Sequence, residues 1–135
     1  DEVKFAEQIS TSQGMGIREI ASAAQVEPLS NEGGGGGSTD VGDVSWAVPT
    51  VGLRTATWVP GTPAHSWQAV AAGGMSIGRK GMMVAAKTLA MTAIDLFQNE
   101  KAIADAKAEF DKRRGADFKY NALIGDRKPA LNYRD

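Results

Sequence analysis

The chain has 135 residues, which is enough for one small domain with a single hydrophobic core. Its net charge of −1 gives no long-range attraction to nucleic acid or to an anionic membrane. The sequence contains no cysteine, which excludes disulfides and thiolate metal sites, so a metal would need histidine or carboxylate ligands. The first four residues lack the features of a secretory signal. We expect a cytoplasmic protein that binds neither nucleic acid nor membrane.

The first part of the chain predicts a helix and then a long loop. Residues 2–13 place apolar side chains at helical spacing, and the pattern continues loosely to Ala24. From Val26 onward loop-forming residues dominate, and this stretch ends in five consecutive glycines, Gly33–Gly37. The glycine run is compatible with a natural loop and with an engineered linker, and the sequence alone leaves both interpretations open.

Two strands are predicted after Asp43. The first, Val44–Val48, alternates between apolar and polar residues, and the second, Val51–Trp58, is rich in β-branched and aromatic residues. A turn of the composition Pro-Gly-Thr-Pro, residues 60–63, follows and leads to His65. Because two strands cannot bury both faces of a sheet, they indicate one edge of a larger α/β domain.

The second half of the chain predicts three helices. A short one runs over 66–72 and is closed by two glycines, a long one runs over 77–97 with Ser76 as its N-cap, and a third runs over 99–114 and ends at Gly115. One stripe of the long helix is expected to face a core: Met82, Ala86, Leu89, Ala93 and Phe97. Four methionines are expected to fill that core: Met75, Met82, Met83 and Met91.

The polar tail after the third helix offers four apolar or aromatic side chains for docking, and the basic cluster 112–114 is interpreted as a solvated helix end. The four tail residues are Phe118, Tyr120, Leu123 and Ile124.

Few residues of this chain have side chains suited to catalysis or metal binding. His65 is the single histidine, and its place just beyond a predicted strand suits a metal ligand or proton carrier, although a turn histidine without a role stays open. Asp40 and Asp43 suit a metal, a positioned base or simple turn capping. The preceding glycines suit an anion-binding nest or plain flexibility. Trp67 is the aromatic residue best placed to stack on a substrate ring, while core packing is the commoner use of tryptophan.

Two segments of the sequence carry a family resemblance. Residues 37–50, Gly-Ser-Thr-Asp-Val-Gly-Asp-Val-Ser-Trp through Pro-Thr, and residues 61–68, Gly-Thr-Pro-Ala-His-Ser-Trp-Gln, resemble the aminobenzoyl-glutamate utilization protein B group. That group belongs to the di-zinc metallopeptidase superfamily of aminoacylases and glutamate carboxypeptidases. The resemblance covers roughly residues 30–97. It implies the C-terminal part of a three-layer α/β catalytic domain, made by residues 1–114, with 115–135 as its tail.

The resemblance also implies an activity and a set of site residues. The reaction is metal-dependent hydrolysis of the amide bond of an N-acyl amino acid, an aminobenzoyl-glutamate-like compound or a dipeptide. Two divalent ions, zinc or manganese, would polarise the carbonyl and activate a bridging water. His65 corresponds to the last metal ligand of the family. The loop that approaches the substrate carboxylate corresponds to Gly36, Gly37, Ser38, Thr39 and Asp40.

The family's other functional residues have no counterpart in this sequence. Its His-x-Asp pair, bridging Asp, paired Glu residues and lid-domain His are expected N-terminal of residue 1, together with the general base, so the isolated chain is expected to be inactive. The implied partners are the rest of the catalytic domain, an inserted lid domain, a small amide substrate and a second identical or homologous subunit. Two alternatives stay open. One is a non-catalytic binding or assembly subunit that keeps the fold, and the other is an engineered truncated enzyme.

Overall fold

The computed structural model describes residues 1–29 and 39–132, which form helices, turns and irregular segments. Five α-helices and one 3-10 helix occur in this part of the chain. In order they are α1 (Glu2–Ser12), the 3-10 helix (Ile20–Ala24), α2 (Val41–Ala47), α3 (Trp67–Gly73), α4 (Ser76–Gln98) and α5 (Glu100–Arg114). No strand occurs among the described residues, so the predicted three-layer α/β fold is wrong for them.

The first predicted strand lies largely in helix α2. The Thr39 hydroxyl oxygen accepts the N–H of Val41 at 2.9 Å, which begins the helix, and Val48 N–H donates to the carbonyl of Val44 at 3.0 Å at its end. Over two turns, an apolar pattern fits both a period of 2 and a period of 3.6 residues. The alternation at Val44 and Trp46 therefore could not distinguish a strand from a helix.

The second predicted strand, residues 51–58, is neither helix nor strand. Strand propensity reflects how well side chains pack on a pleated, half-buried surface beside a neighbouring strand. The described residues contain no such neighbour, and Val51 is 81% exposed. Near its end, the backbone of Ala56 lies against Gly81 of α4 instead.

The described residues divide into two compact units. The first unit contains residues 1–29 and 52–99, and the second unit contains residues 39–51 and 100–132. The first therefore holds α1, the 3-10 helix, α3 and α4, and the second holds α2 and α5. The predicted division into a segment 1–114 and a tail 115–135 stays a prediction about the larger protein.

The hydrophobic core of the first unit is small. It joins α1, α3 and the first turn of α4 to the turn that precedes His65. Its buried members are Ala6, Ile9, Val59, Ala72 and Ile77, and the partly buried residues packed on them are Phe5, Ile20, Ala23 and Met75. Of the four methionines predicted to fill a core, Met75 is confirmed in that place.

Two glycines of α4 let backbone segments lie directly on the helix. A Cβ atom on Gly81 would stand 2.1 Å from the carbonyl oxygen of Ala56, and one on Gly78 would stand 2.1 Å from the carbonyl oxygen of Gly73. Both distances are far below van der Waals contact. The absence of a side chain at these two positions therefore allows the segment 56–57 and the end of α3 to lie against α4.

The second half of α4 is exposed. Leu89, Met91 and Phe97 are 59%, 65% and 88% exposed, and Met82 and Met83 are also exposed. The predicted core stripe and three of the four predicted core methionines are therefore wrong for the described part of the chain. Helical periodicity identifies an apolar face, but it carries no information about what covers that face.

The predicted helix boundaries in the second half are confirmed to within about one residue by α3, α4 and α5. Gly74 follows α3 as predicted, and Gly115 ends α5 with a φ of 85° while its N–H donates to the carbonyl of Asp111 at 3.0 Å. The prediction of Ser76 as the N-cap of α4 is wrong, because Met75 occupies that position and makes no side-chain capping bond.

Glu2 of α1 caps helix α4 from outside. Its carboxylate accepts the backbone N–H of Ile77 at 2.9 Å and the Ser76 hydroxyl at 2.9 Å. These bonds satisfy donors at a helix N-terminus, where a negative charge is favoured. The hydrogen bond from the Ile77 N–H, followed by that from Ser76, lowers the pKa of Glu2 below its ordinary value of 4.5.

Glu2→Gln is expected to make the stability of the protein less sensitive to acid. Because the pKa of Glu2 is lower in the folded protein, the wild-type carboxylate stabilises the fold above pH 4.5, and this contribution is lost as the pH falls through the lowered pKa. Urea unfolding at a series of pH values from neutral to about 3 measures the effect. Glu7→Gln on the same helix is the control. Parallel pH profiles for wild type and Glu2→Gln would contradict the capping role.

Candidate functional site

A proline–glycine turn precedes His65. The carbonyl of Val59 accepts the N–H of Thr62 at 3.3 Å and its hydroxyl at 2.7 Å. Pro60 and Gly61 occupy the two central positions, and Gly61 has a φ of 86°. Proline followed by a glycine with positive φ is the pattern of a type II turn. The turn predicted at 60–63 is confirmed, and its local sequence explains it.

The backbone at His65 is in the left-handed region, with a φ of 57°. Ser66 fixes this geometry, because its hydroxyl donates to the carbonyl of Pro63 at 2.7 Å and accepts the N–H of Ala69 at 3.2 Å. The same side chain thus closes the turn and caps α3. A left-handed conformation costs a residue with a side chain roughly 1–2 kcal/mol. The structure holds His65 in this conformation, and its imidazole is exposed.

The described residues do not form a metal site on their own. They contain no cluster of three or more histidine, cysteine, aspartate or glutamate side chains able to hold an ion. A protein zinc site takes three or four protein ligands, and a single imidazole supplies one. His65 is therefore accessible as one donor, and any further donors would come from outside the part of the chain that the structure describes. The ligand role of His65 stays a prediction.

Of the predicted substrate-binding residues, Thr39 and Asp40 lie within the described residues, at the start of α2. Gly36, Gly37 and Ser38 lie outside them. The carbonyl of Asp40 accepts the N–H of Val44 at 3.3 Å, whereas its carboxylate makes no capping bond to the helix. Both side chains are exposed. Local hydrogen bonding therefore orients the backbone here and leaves the Asp40 carboxylate at the surface.

Asp43 and Trp46 on α2 contact the segment after α5. The Tyr120 hydroxyl donates to Oδ1 of Asp43 at 2.7 Å, and the Phe118 ring stacks on Trp46 with centroids 4.6 Å apart and an interplanar angle of 18°. The hydrogen bond to Asp43 raises the pKa of Tyr120 above its ordinary value of 10.0. Docking by Phe118 and Tyr120 is confirmed. Leu123 and Ile124 are exposed, so their predicted docking is wrong for the described residues.

Trp67 lies at the start of α3, near the N-terminal helix. Its ring packs against Phe5 with centroids 6.1 Å apart and remains 69% exposed. A shallow groove of about 190 Å³ runs beside it between α1 and α3. Its lining residues are Phe5, Gln8, Ile9, Ser12, Trp67 and Gln68. His65 does not line this groove, and stacking of a substrate ring on Trp67 stays a prediction.

The basic cluster at the end of α5 interacts with its own helix. Arg113 pairs with Glu109 at 3.3 Å, and the Arg114 guanidinium lies 4.6 Å from the centre of the Phe110 ring and pairs with Asp111. The Arg113–Glu109 pair is exposed, and such pairs contribute little to stability. Cations in the last turn also interact favourably with the negative end of the helix dipole. Arg113 is therefore solvated as predicted, whereas Arg114 is half-buried against Phe110.

Three contributions to this architecture were not expected from the sequence. The pair Gly78 and Gly81, three residues apart within a helical pattern, is a signal of close backbone approach that the sequence does contain. Asp43 and Trp46 are also three apart and meet Tyr120 and Phe118, but no local pattern links the two segments. The capping of α4 by Glu2 has no sequence signal, because 74 positions separate Glu2 from Ser76.

Comparison with known proteins gives one informative match. No protein-family model matches the sequence, and no solved structure matches it significantly. A stretch of 72 residues is 44% identical to a curated protein of Escherichia coli (strain K12). That protein is one subunit of p-aminobenzoyl-glutamate hydrolase. The resemblance predicted from the two sequence segments is thereby confirmed.

The match covers a limited part of both proteins. The 72 residues make up 53% of this chain and 15% of the p-aminobenzoyl-glutamate hydrolase subunit. The matched stretch therefore corresponds to a small part of that protein. The match by itself does not assign the activity of the complete relative to this chain. Separately, no helix in the described residues has the length and apolar character needed to cross a membrane.

Proposed function

We propose that the protein containing this chain hydrolyses an amide bond next to a carboxylate-bearing group, with p-aminobenzoyl-glutamate as its first substrate to test. The observation that carries the proposal is the 44% identity over 72 residues to the p-aminobenzoyl-glutamate hydrolase subunit of Escherichia coli. Identity at that level over a stretch of this length supports a shared local structure. Because the relative is named as a subunit, we further propose that the complete protein works with a second subunit.

Within this function, His65 is proposed as one ligand of a divalent metal ion. Three observations support this assignment: the imidazole is exposed, its turn is fixed by two hydrogen bonds of Ser66, and its backbone is held at a φ of 57°. Strained backbone conformations are found preferentially at functional sites. Divalent zinc or manganese would supply polarisation of the scissile carbonyl.

Thr39 and Asp40, together with Gly36, Gly37 and Ser38, are proposed to contact the substrate. The supporting observation is that the Asp40 carboxylate makes no capping bond and lies at the surface. An Asp at a helix start usually caps the helix, so a carboxylate that leaves this role unused is available for another.

The experiment is an assay of the complete protein isolated from its source, so that any second subunit is retained. With zinc or manganese present, p-aminobenzoyl-glutamate is expected to be cleaved to p-aminobenzoate and glutamate, which chromatography separates and quantifies. Chelation is expected to stop the reaction, and metal addition is expected to restore it. The isolated 135-residue chain is the matched negative control. A complete protein that binds no added zinc or manganese and shows no turnover in their presence would favour a binding or assembly role instead.

A further inference from the structure

Helix α2 is short and weakly supported within its unit. It has seven residues, and none of them is buried. Isolated helices of this length are unstable in water, because the first turn costs more entropy than its few hydrogen bonds return. The population of α2 in the folded protein therefore depends on contacts from elsewhere in the chain.

The segment after α5 supplies such contacts. Tyr120 binds the carboxylate of Asp43 at 2.7 Å, and Phe118 stacks on Trp46 at 4.6 Å. Asp43 and Trp46 are three positions apart, so they lie on the same face of α2. The two contacts hold that face at successive turns, and 77 positions of sequence separate Tyr120 from Asp43. We define these four residues as the α2 clasp.

The clasp lies one turn from the residues proposed to contact substrate. Val41 N–H donates to the Thr39 hydroxyl oxygen at 2.9 Å, and Val44 N–H donates to the carbonyl of Asp40 at 3.3 Å. These bonds connect Thr39 and Asp40 to the first turn of α2, while Asp43 belongs to the same turn. If the clasp opens, α2 unfolds, and the orientation of Thr39 and Asp40 is lost with it.

We propose that Phe118 and Tyr120 are positioning residues that hold α2, and through it Thr39 and Asp40, in the arrangement proposed to contact the substrate. The inference rests on the proposed hydrolase function. In this role the two residues act through α2, which they contact, and not on the reacting bond. Their effect is on the affinity for substrate and not on the chemical step.

Tyr120→Phe and Phe118→Leu in the complete protein test this inference. Each is expected to raise KM for p-aminobenzoyl-glutamate by about threefold to tenfold while kcat changes by less than about twofold, because loss of a prearranged binding conformation weakens binding without altering the chemical step. Phe118→Tyr keeps the ring that stacks on Trp46 and is expected to restore the wild-type KM. Leu123→Ala is the control on the same segment, since Leu123 is fully exposed.

Two further measurements separate positioning from a general loss of stability. Amide hydrogen exchange of residues 41–47 is expected to accelerate in Tyr120→Phe, while exchange in α4 is expected to stay as in the wild type. The double variant Asp43→Ala/Tyr120→Phe is expected to raise KM no further than either single change, because each change removes the hydrogen bond from the Tyr120 hydroxyl to Asp43.

The outcomes distinguish this inference from the function on which it rests. A wild-type protein that cleaves the substrate, with KM unchanged in Tyr120→Phe and Phe118→Leu, would overturn the positioning role and leave the hydrolase function standing. Equal losses in kcat and in exchange protection of α4 would also overturn it, because they indicate a general structural role. If the wild-type protein has no turnover, the proposed function fails, and this inference fails with it.

Discussion

Gly81→Ala is expected to lower the free energy of unfolding by about 2 kcal/mol or more. The new Cβ would stand 2.1 Å from the carbonyl oxygen of Ala56 and 2.9 Å from Cγ2 of Thr57. A backbone carbonyl cannot move aside by rotating a side chain, so the segment 56–57 must separate from α4. Alanine favours an α-helix over glycine by about 1 kcal/mol, and this gain offsets only part of the loss.

The measurement is thermal and urea unfolding of the protein, followed by circular dichroism. Gly42→Ala in α2 is the matched control, because that glycine is also helical and no atom lies within 4 Å of its Cβ position. It is expected to leave stability unchanged or to raise it by up to about 1 kcal/mol. If Gly81→Ala proves as stable as Gly42→Ala, the segment 56–57 does not lie against α4.

Replacement of His65 is expected to have the largest effect on activity. In the complete protein, His65→Ala should lower amide hydrolysis more than 100-fold and reduce the bound metal, by the general rule that losing even a residue that only supports a ligand costs about 10- to 100-fold. Metal content after gel filtration, together with the rate of p-aminobenzoate release, measures both effects.

Two other replacements distinguish the loss of a metal ligand from an effect on the backbone conformation at residue 65. Because His65 has a φ of 57°, glycine and asparagine both suit its conformation. His65→Gly and His65→Asn are expected to unfold at the same urea concentration as the wild type, or at a slightly higher one, and still to lose metal and activity. Unchanged metal stoichiometry in these stable variants would remove His65 from the metal site and leave only a turn role.

The sequence predicted the parts of the fold that depend on neighbouring residues. The three helices of the second half follow from apolar spacing and, for α3 and α5, from the glycines that end them. The turn before His65 follows from Pro60 and Gly61. Such signals act within a few positions, where the backbone conformation of each residue is restricted by its own side chain. The resemblance to the hydrolase subunit likewise came from two short, specific segments.

The errors occurred where a local pattern allowed more than one structure. The alternation at Val44 and Trp46 suited both a strand and two turns of helix, and the contacts with Phe118 and Tyr120 lie on the helical face. The β-branched segment 51–58 had strand propensity but no neighbouring strand in the described residues. The stripe on α4 was apolar, but its surroundings decide whether it is buried.

By itself, then, the sequence determined the positions of α1, α3, α4 and α5, the turn at residues 60–63, the exclusion of thiolate ligands and the identity of the single imidazole. Tertiary structure alone decided that Glu2 caps α4, that Ala56 lies against Gly81, and that Asp43 meets Tyr120. Each of these contacts joins residues at least 25 positions apart. Chain segments so far apart meet only when the whole fold forms, and no local spacing records the meeting.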